Sequence, residues 1–584
     1  MTRLQQNGHR IVVGVDFGTT YTGVSWVTTV SQQTIQEIDI INEWGGSGAT
    51  GSYNWKVPTV IAYQNENSPW SPRGDKWGFQ VKPEMVSWAW MKLLLDQDQA
   101  KRHYDDTLPE VKQHPHKSPE QIVTDFLSHV YKFLIGTLER RMTPSVVQQL
   151  PIEFWFTTPA IWSDQANHAT RRAARAAGFG SRPGDRIFMI QEPEAAAVAV
   201  LKDLTVHGTN VIVKPGDGIL ICDCGGGTVD LITYKVTQTY PTLQFEELVV
   251  GSGGKCGSTY VDRRFLAWMS ETFGPAFDGL RDRLKCPGSK MMQEFESHKR
   301  AFSSDNCEHF ELGLSMHDVP DSPSYDASEN TVKIEWSTMK SFFEPAVERI
   351  IGLIQEQTQQ AANIGERVHK VVLVGGFGDS KFLYTELERV CAQWQIQVLC
   401  PKHPQAAIVK GAALRGLENI KPQRKKCRQH YGFESAHTFR PGIDPQQDYW
   451  FDEIDGQHLC LHRMEWAMSK GQYMDEGVFF RSSQVLWQTA AQANNPPPVN
   501  LYRSESEEQA ERCYYAGVQS VGQIGLRFNS LNFSAFETKI HKGVMHYHLA
   551  YEIQVFPSTK EGVLRFRVVS QGQEIGSAQI VYTK

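Results

Sequence analysis

IVVGVDFGTTYTGVSW, residues 11–26, and GILICDCGGGTVDLITYKV, residues 218–236, decide the fold. Each is a short apolar run closed by a glycine turn and followed by a second apolar run, which reads as two buried strands joined tightly. Both follow one plan: strand, aspartate, one residue, glycine, a turn of small residues, strand. Asp16 and Asp223 hold matching places in it, so a duplicated β-hairpin unit is the simplest account, and two similar lobes follow. A third run, VVLVGGFGDSKF from Val371, ends in another glycine turn.

A nucleoside triphosphate needs backbone N–H donors that approach its oxygens closely, and carboxylates to hold the water shell of Mg²⁺. Both hairpins supply these. Gly18, Thr19 and Thr20 form the first turn after Asp16; Gly225, Gly226, Gly227 and Thr228 form the second, between Asp223 and Asp230. A single glycine turn serves equally well as a plain connection. Two of them, each headed by a carboxylate at the end of a buried strand, carry a desolvation penalty that a shared metal ion removes.

Working outward, Ile122, Phe126, Val130, Phe133 and Leu134 recur at helical spacing between Pro119 and Arg141. Further helices are expected from about Ser380 to Trp394 and from about Pro404 to Leu417, so the core is α/β and closes near residue 420. Beyond it, HYHLAYEIQVF, GVLRFRVVS and IGSAQIVY predict a strand meander. Ser482 to Gln509, with Pro496, Pro497 and Pro498, reads as a loop, and Arg424, Lys425, Lys426 and Arg428 as a solvated linker.

With 59 basic against 65 acidic side chains and no long basic stripe, nucleic acid is excluded as a main partner. No apolar run is long enough for a membrane span, and the polar start argues against a signal peptide, which together suggest a cytoplasmic setting with the nucleus also open. Ten scattered cysteines predict no disulfide framework. Cys222 and Cys224 should face away from Asp223 into the core. His541, His546 and His548 read as surface residues, and Trp44, Trp55, Trp70, Trp77, Trp88 and Trp90 as anchors for long loops of the first lobe.

VDFGTTYTG and DCGGGTVD resemble the two phosphate motifs of the actin, hexokinase and seventy-kilodalton heat-shock chaperone superfamily. The chaperone branch is the closer likeness: IQEPEAAAVAVL (190–201) and HPQAAIVKGAALRG (403–416) resemble its connecting helices, VVLVGGFGDS its adenosine motif, and FESHKRAFSS (295–304) its adenosine-binding helix. The likeness spans about residues 11–417. It implies an actin-like, ribonuclease H-like fold: lobe I at 11–200, and lobe II at 201–420 with an inserted adenosine-binding helical subdomain at about 258–340. A basic linker and β-rich tail follow at 421–584. ATP or ADP with Mg²⁺ are the implied cofactors.

The same resemblance implies roles. Asp16, Asp223 and Glu192 would hold Mg²⁺ through waters; Lys92, Glu192, Asp223 and Thr228 would be catalytic. Gly18, Thr19, Thr20, Tyr21, Gly225, Gly226, Gly227 and Asp230 would bind the nucleotide, with Gly375, Gly376 and Phe377 from the adenosine motif. Glu296 and Lys299 would reach the ribose, Arg300 would stack on adenine and Ser303 would meet the base edge. On a helix these four share one face. WAWMKLLL around Lys92 also reads as an amphipathic helix.

Several motifs depart from the pattern. Phe377 follows Gly376 where the chaperones place Ser and then an adenine-sandwiching Arg, and CGSTYVD (256–262) replaces the GGEDFD hairpin. GSGGKCGST is no P-loop, since Val249 stands where its first glycine is required. KPQRKKCRQH replaces the family's hydrophobic acidic linker, and the strand-like IVYTK ending reads as a chain without a helical lid. The expectation is a divergent, lid-less ATPase of chaperone type, with a client or partner reached through the tail or lobe surface. A non-hydrolysing sensor is the alternative, and a metabolite kinase a third reading.

Overall fold

The computed structural model describes residues 8–29, 35–46, 54–67, 74–96, 113–160, 162, 164–206, 213–240, 242–304, 309–474, 480–558 and 563–581. The chain divides into two compact units, Met1–Gln423 and Arg424–Lys584. In the first unit, the apolar runs do form strands: β1 (Ile11–Phe17), β2 (Tyr21–Thr28), β3 (Asp39–Ile40), β4 (Val57–Pro58), β5 (Ile152–Thr158) and β6 (Arg186–Gln191) make one sheet. Its order is β3-β2-β1-β5-β6, with β4 also pairing β2. A second sheet holds β7 (Gly218–Cys224), β8 (Val229–Gln238), β9 (Gln244–Gly254), β10 (Val368–Val374) and β11 (Gln397–Leu399), in the order β9-β8-β7-β10-β11.

The two sheets repeat one topology. In each, the aspartate-bearing strand pairs antiparallel with its hairpin partner on one side and parallel with the next strand on the other. All seven residues of β1 and of β7 are buried, as strands covered on both faces require. The covering helices are α1 (Pro119–Met142), α2 (Asp164–Ala176), α3 (Glu192–Val206), α4 (Ser258–Phe273), α5 (Lys290–Ala301), α6 (Trp336–Asn363), α7 (Lys381–Gln393) and α8 (Pro404–Glu418). α1 starts on a capping box between Ser118 and Gln121, with Pro119 where its missing N–H is harmless.

The alanine-rich segments 190–201 and 403–416 are α3 and α8, and their small residues have a steric cause. A Cβ on Gly411 would lie 1.7 Å from the Ala195 carbonyl oxygen, and one on Gly14 would lie 2.5 Å from that of Val409. Ser25 on β2 closes the same contact by donating to Val409 at 2.7 Å. The backbones of both helices therefore ride directly against each other and the sheet, tying the two halves of the unit at their bases.

The second unit has one apolar core that includes Phe433, Leu501, Phe528, Leu549 and Phe566. One antiparallel sheet runs Tyr449–Asp452, Gln457–Met468, His430–Thr438, Val499–Ser504, Val518–Ile524; the other runs Phe480–Gln488, Val544–Ser558, Val563–Ser570, Gln573–Val581, with Thr538–His541 against Val544–Ser558. The loop expected at 482–509 is thus interrupted by strand at 482–488 and 499–504. Its prolines mark the connection near 496–498, and Val499, Leu501 and Ser504 are buried while Asn500, Tyr502 and Arg503 are half-buried.

The basic run is also corrected. Lys425–Lys426 is a strand paired with Tyr473–Met474, and Arg424 and Lys426 lie 3.8 and 4.6 Å from the centre of the Tyr473 ring. Cation–π contact holds this run half-buried instead of solvated. The described cysteines form no disulfide with one another.

Candidate functional site

The first unit contains a cavity of about 690 Å³, a size suited to a small-molecule ligand, walled by both glycine turns. The glycine backbone of the second turn meets the threonine side chains of the first. A Cβ on Gly226 would lie 2.4 Å from Thr20 Oγ1, and one on Gly227 would lie 2.8 Å from Thr19 Oγ1, so only glycine lets the two clasps meet. A third close approach comes from Gly375, whose φ is +83° and whose Cβ would fall 2.5 Å from Asp223 Oδ1.

Asp16 and Asp223 end their strands in this cavity, nearly fully buried. Asp16 is satisfied on both oxygens: Thr157 Oγ1 donates at 2.9 Å and Lys56 Nζ at 2.6 Å. Asp223 is not, since its buried Oδ1 has no hydrogen-bond partner. Burial first, then the negative charges of Glu192, Asp230 and Asp16, hold the Asp223 carboxyl well above the usual range.

Glu192, the first residue of α3, accepts from Lys92 Nζ at 2.6 Å, and both side chains are under a tenth exposed. Burial pushes Glu192 up to about 7, Lys92 pulls it down, and Asp16 and Asp230 add to the rise. Lys92 stands on a short 3₁₀ turn, Met91–Leu95, instead of an amphipathic α-helix, and turns inward under the rings of Phe17 and Trp162. Its neighbour Trp90 has φ +57°, which breaks regular helix at that point.

At the other end of the cavity, α5 presents Glu296, Lys299 and Arg300. Glu296 binds Lys299 and Arg300 at 2.6 and 2.7 Å, Lys299 also binds Asp262 at 2.6 Å, and Arg300 lies over Tyr21. Asp262 belongs to CGSTYVD, which is the start of α4 and not a hairpin: Ser258 and Thr259 donate their N–H groups to the carbonyls of Gly225 and Gly226. The helix N-terminus thereby braces the second clasp.

Two sequence-assigned residues stand elsewhere. Ser303 does not share the helical face, because α5 ends at Ala301; its carbonyl accepts from Trp336 Nε1 and it does not line the cavity. Asp230 does not line the cavity either but sits directly opposite Asp223 across the β7–β8 pair. Thr228, Tyr21, Gly376 and Phe377 do line it, and Phe377 packs near Phe343.

Sequence reasoning missed Lys56, Phe343 and His403, all in the wall. Of the six tryptophans, Trp44, Trp77 and Trp88 are buried anchors, Trp55 lines the cavity with its ring 4.3 Å from that of His403, and Trp70 lies outside the described residues. Cys222 and Cys224 share the core face, their sulfurs 3.6 Å apart, and contribute nothing to the site. Glu434, His462 and Cys513 form a metal-type cluster in the second unit. It is closed by its own bonds, His462 on one Glu434 oxygen and Asn500 and Tyr502 on the other.

Asp16, Glu192 and Asp223 line the cavity with buried carboxylates, and the orphaned Oδ1 of Asp223 suits a hard divalent cation such as Mg²⁺ held through its waters. A duplicated sheet, facing glycine clasps and an acidic floor define an actin-like, two-lobed nucleotide-binding ATPase domain, followed here by a β-rich C-terminal region. The Hsp70 protein family model matches residues 96–416, more than half of the sequence, and this chain belongs to the Hsp70 family. It is 24% identical to human heat shock 70 kDa protein 12B over 89% of this chain and 84% of that protein. It is 23% identical to human heat shock 70 kDa protein 12A over 86% of this chain and 83% of that protein. A chaperone protein HscA homolog of Rickettsia rickettsii (strain Sheila Smith) is 23% identical over 71% of this chain and 58% of its own length. Nucleotide binding comes with the domain, and no helix among the described residues is long and apolar enough to cross a membrane.

Proposed function

We propose that this chain is a chaperone-like, Mg²⁺-dependent ATPase that works in the cytoplasm and couples nucleotide state to closure of two lobes, 11–200 and 201–420. In this reading residues about 258–340 are the adenosine-binding insertion, and residues 421–584 or the lobe surface meet a client. The observation that carries it is the meeting of the two glycine clasps above the Lys92–Glu192 pair.

The turn amides of residues 18–20 and 226–228 grip phosphate oxygens, as fixed dipoles that need no reorganisation. Lys92 neutralises charge building on the terminal phosphate. Glu192, ionised above about 7, orients the attacking water and takes its proton, while Thr228 positions the γ-phosphoryl group as its bond to the ADP oxygen breaks and it passes to the water. Asp16, Asp223 and Glu192 would hold Mg²⁺ through its waters, and the metal would supply charge neutralisation on the phosphates. Glu296 and Lys299 bind the ribose, and Arg300 with Phe377 encloses the adenine.

Calorimetric titration of the full chain with ATP, ADP and GTP, alongside phosphate release, tests this: ATP and ADP bind and phosphate appears. No uptake of ATP at millimolar levels removes the reading. A second reading, a sensor that retains ATP unhydrolysed, draws on the altered adenosine motif and on Lys56 at Asp16. Single-turnover measurement separates the two, since the sensor holds intact ATP for hours.

A further inference from the structure

Lys56 belongs to none of the motifs that led to this site. It immediately precedes β4, which pairs antiparallel with β2 through Tyr21–Pro58 and Thr22–Val57, so the next step of that register sets Lys56 beside Gly23. Gly23 in turn lies opposite Asp16 on β1. A Cβ on Gly23 would sit 3.2 Å from Lys56 Cγ. The bare backbone at 23 is therefore the lane along which the lysine stem crosses from the start of β4 to the aspartate of β1. The ammonium ends 2.6 Å from Asp16 Oδ2, with the side chain 13% exposed and facing the cavity.

The charges of the site explain what it does there. Four carboxylates, Asp16, Glu192, Asp223 and Asp230, are buried together, and Lys92 is committed to Glu192. Lys56, bonded to Asp16 and facing the cavity, is a second cation beside these carboxylates. An ammonium has three donors, and among the described residues one hydrogen bond of Lys56 is to Asp16. The remaining donors meet the cavity beside the first clasp, where phosphate oxygens arrive.

We propose that Lys56 is a built-in counter-ion of the phosphate clasp, bridging Asp16 and the phosphate oxygens of the nucleotide, so that nucleotide binding depends only weakly on a divalent metal. The inference rests on the nucleotide-binding reading above. A tethered ammonium is always present at its station and pays no dissociation, whereas a free ion must be recruited. Metal is then needed for turnover more than for capture.

The test is calorimetry of the full chain with ATP and with ADP, once in MgCl₂ and once in EDTA, for wild type and Lys56→Met. Wild-type affinity is expected to fall by less than about tenfold on removing the metal, and that of Lys56→Met by at least about a hundredfold. A larger wild-type loss, or a variant with the wild-type ratio, overturns the inference while leaving nucleotide binding in place. Absence of binding heat even with Mg²⁺ removes the nucleotide reading itself, and this inference with it. Because Lys56→Met leaves Asp16 buried without its cation, the paired variant Asp16→Asn/Lys56→Met is measured beside it, and the wild-type comparison decides the matter without either variant.

Discussion

Two clusters of buried charge, one in each unit, are built to opposite ends. In the second unit Arg512, only 1% exposed, donates to Asp444 at 2.5 Å and to Asp448 at 3.1 Å, while Tyr514 completes Asp448 and Arg440 completes Asp444. Hydrogen bonds from Arg440 and Arg512 hold Asp444 well below the usual carboxylate range. Beside the glycine clasps of the nucleotide cavity, Asp16, Glu192 and Asp223 outnumber Lys56 and Lys92, Asp223 keeps an unpartnered oxygen, and both Asp223 and Glu192 are driven upward by burial. A closed cluster spends its burial on structure. An open one keeps spare valence for a ligand, at a standing cost to the empty protein.

The comparison breaks most decisively at Asp223. Asp223→Asn is expected to lower ATP turnover by about 10²–10³ while leaving the unfolding midpoint unchanged or raised, because it removes a charge the empty fold does not satisfy. Wild-type turnover in steady-state phosphate release would contradict that. Arg512→Ala should do the reverse, costing about 3 kcal/mol of the second unit's stability by removing the buried cation that Asp444 and Asp448 share. ATP affinity is expected to survive. Denaturant titration followed by intrinsic fluorescence measures the first effect and calorimetry the second.

A smaller effect comes from pH. Glu192 has an ordinary value of 4.5 and is pushed up to about 7 in the fold, so between these the folded state binds the extra proton. Its contribution to the stability of nucleotide-free protein is therefore greatest at low pH and declines as pH rises through that window. Turnover should move the opposite way, rising as Glu192 ionises near 7. Comparing denaturation midpoints of wild type and Glu192→Gln across this range checks the sign, since the variant lacks this part of the slope.

The open cluster was largely legible in the residues themselves. Asp16, Asp223, both glycine turns and Glu192 lie at strand ends or a helix start within contiguous motifs, and the burial of β1 and β7 follows from unbroken apolar runs. The closed cluster was not, because Asp444, Asp448 and Arg512 come from irregular segments with no periodicity to link them. Ser303 was placed on a helical face by extending a spacing past the point where the helix ends at Ala301. The strands within 480–504 were hidden because one of their faces is polar and a proline cluster divides them.

The sequence alone determined the duplicated hairpins, their glycines and the carboxylates beside them, because a tight turn between buried strands is a local constraint that neighbouring residues must satisfy. Only the tertiary structure decided which cation meets which carboxylate. Lys56 reaches Asp16 and Lys92 reaches Glu192 across 40 and 100 positions of chain. Pairings at that range are set by strand register, by the small residues that open a lane between strands, and by the exclusion of water once the sheets close.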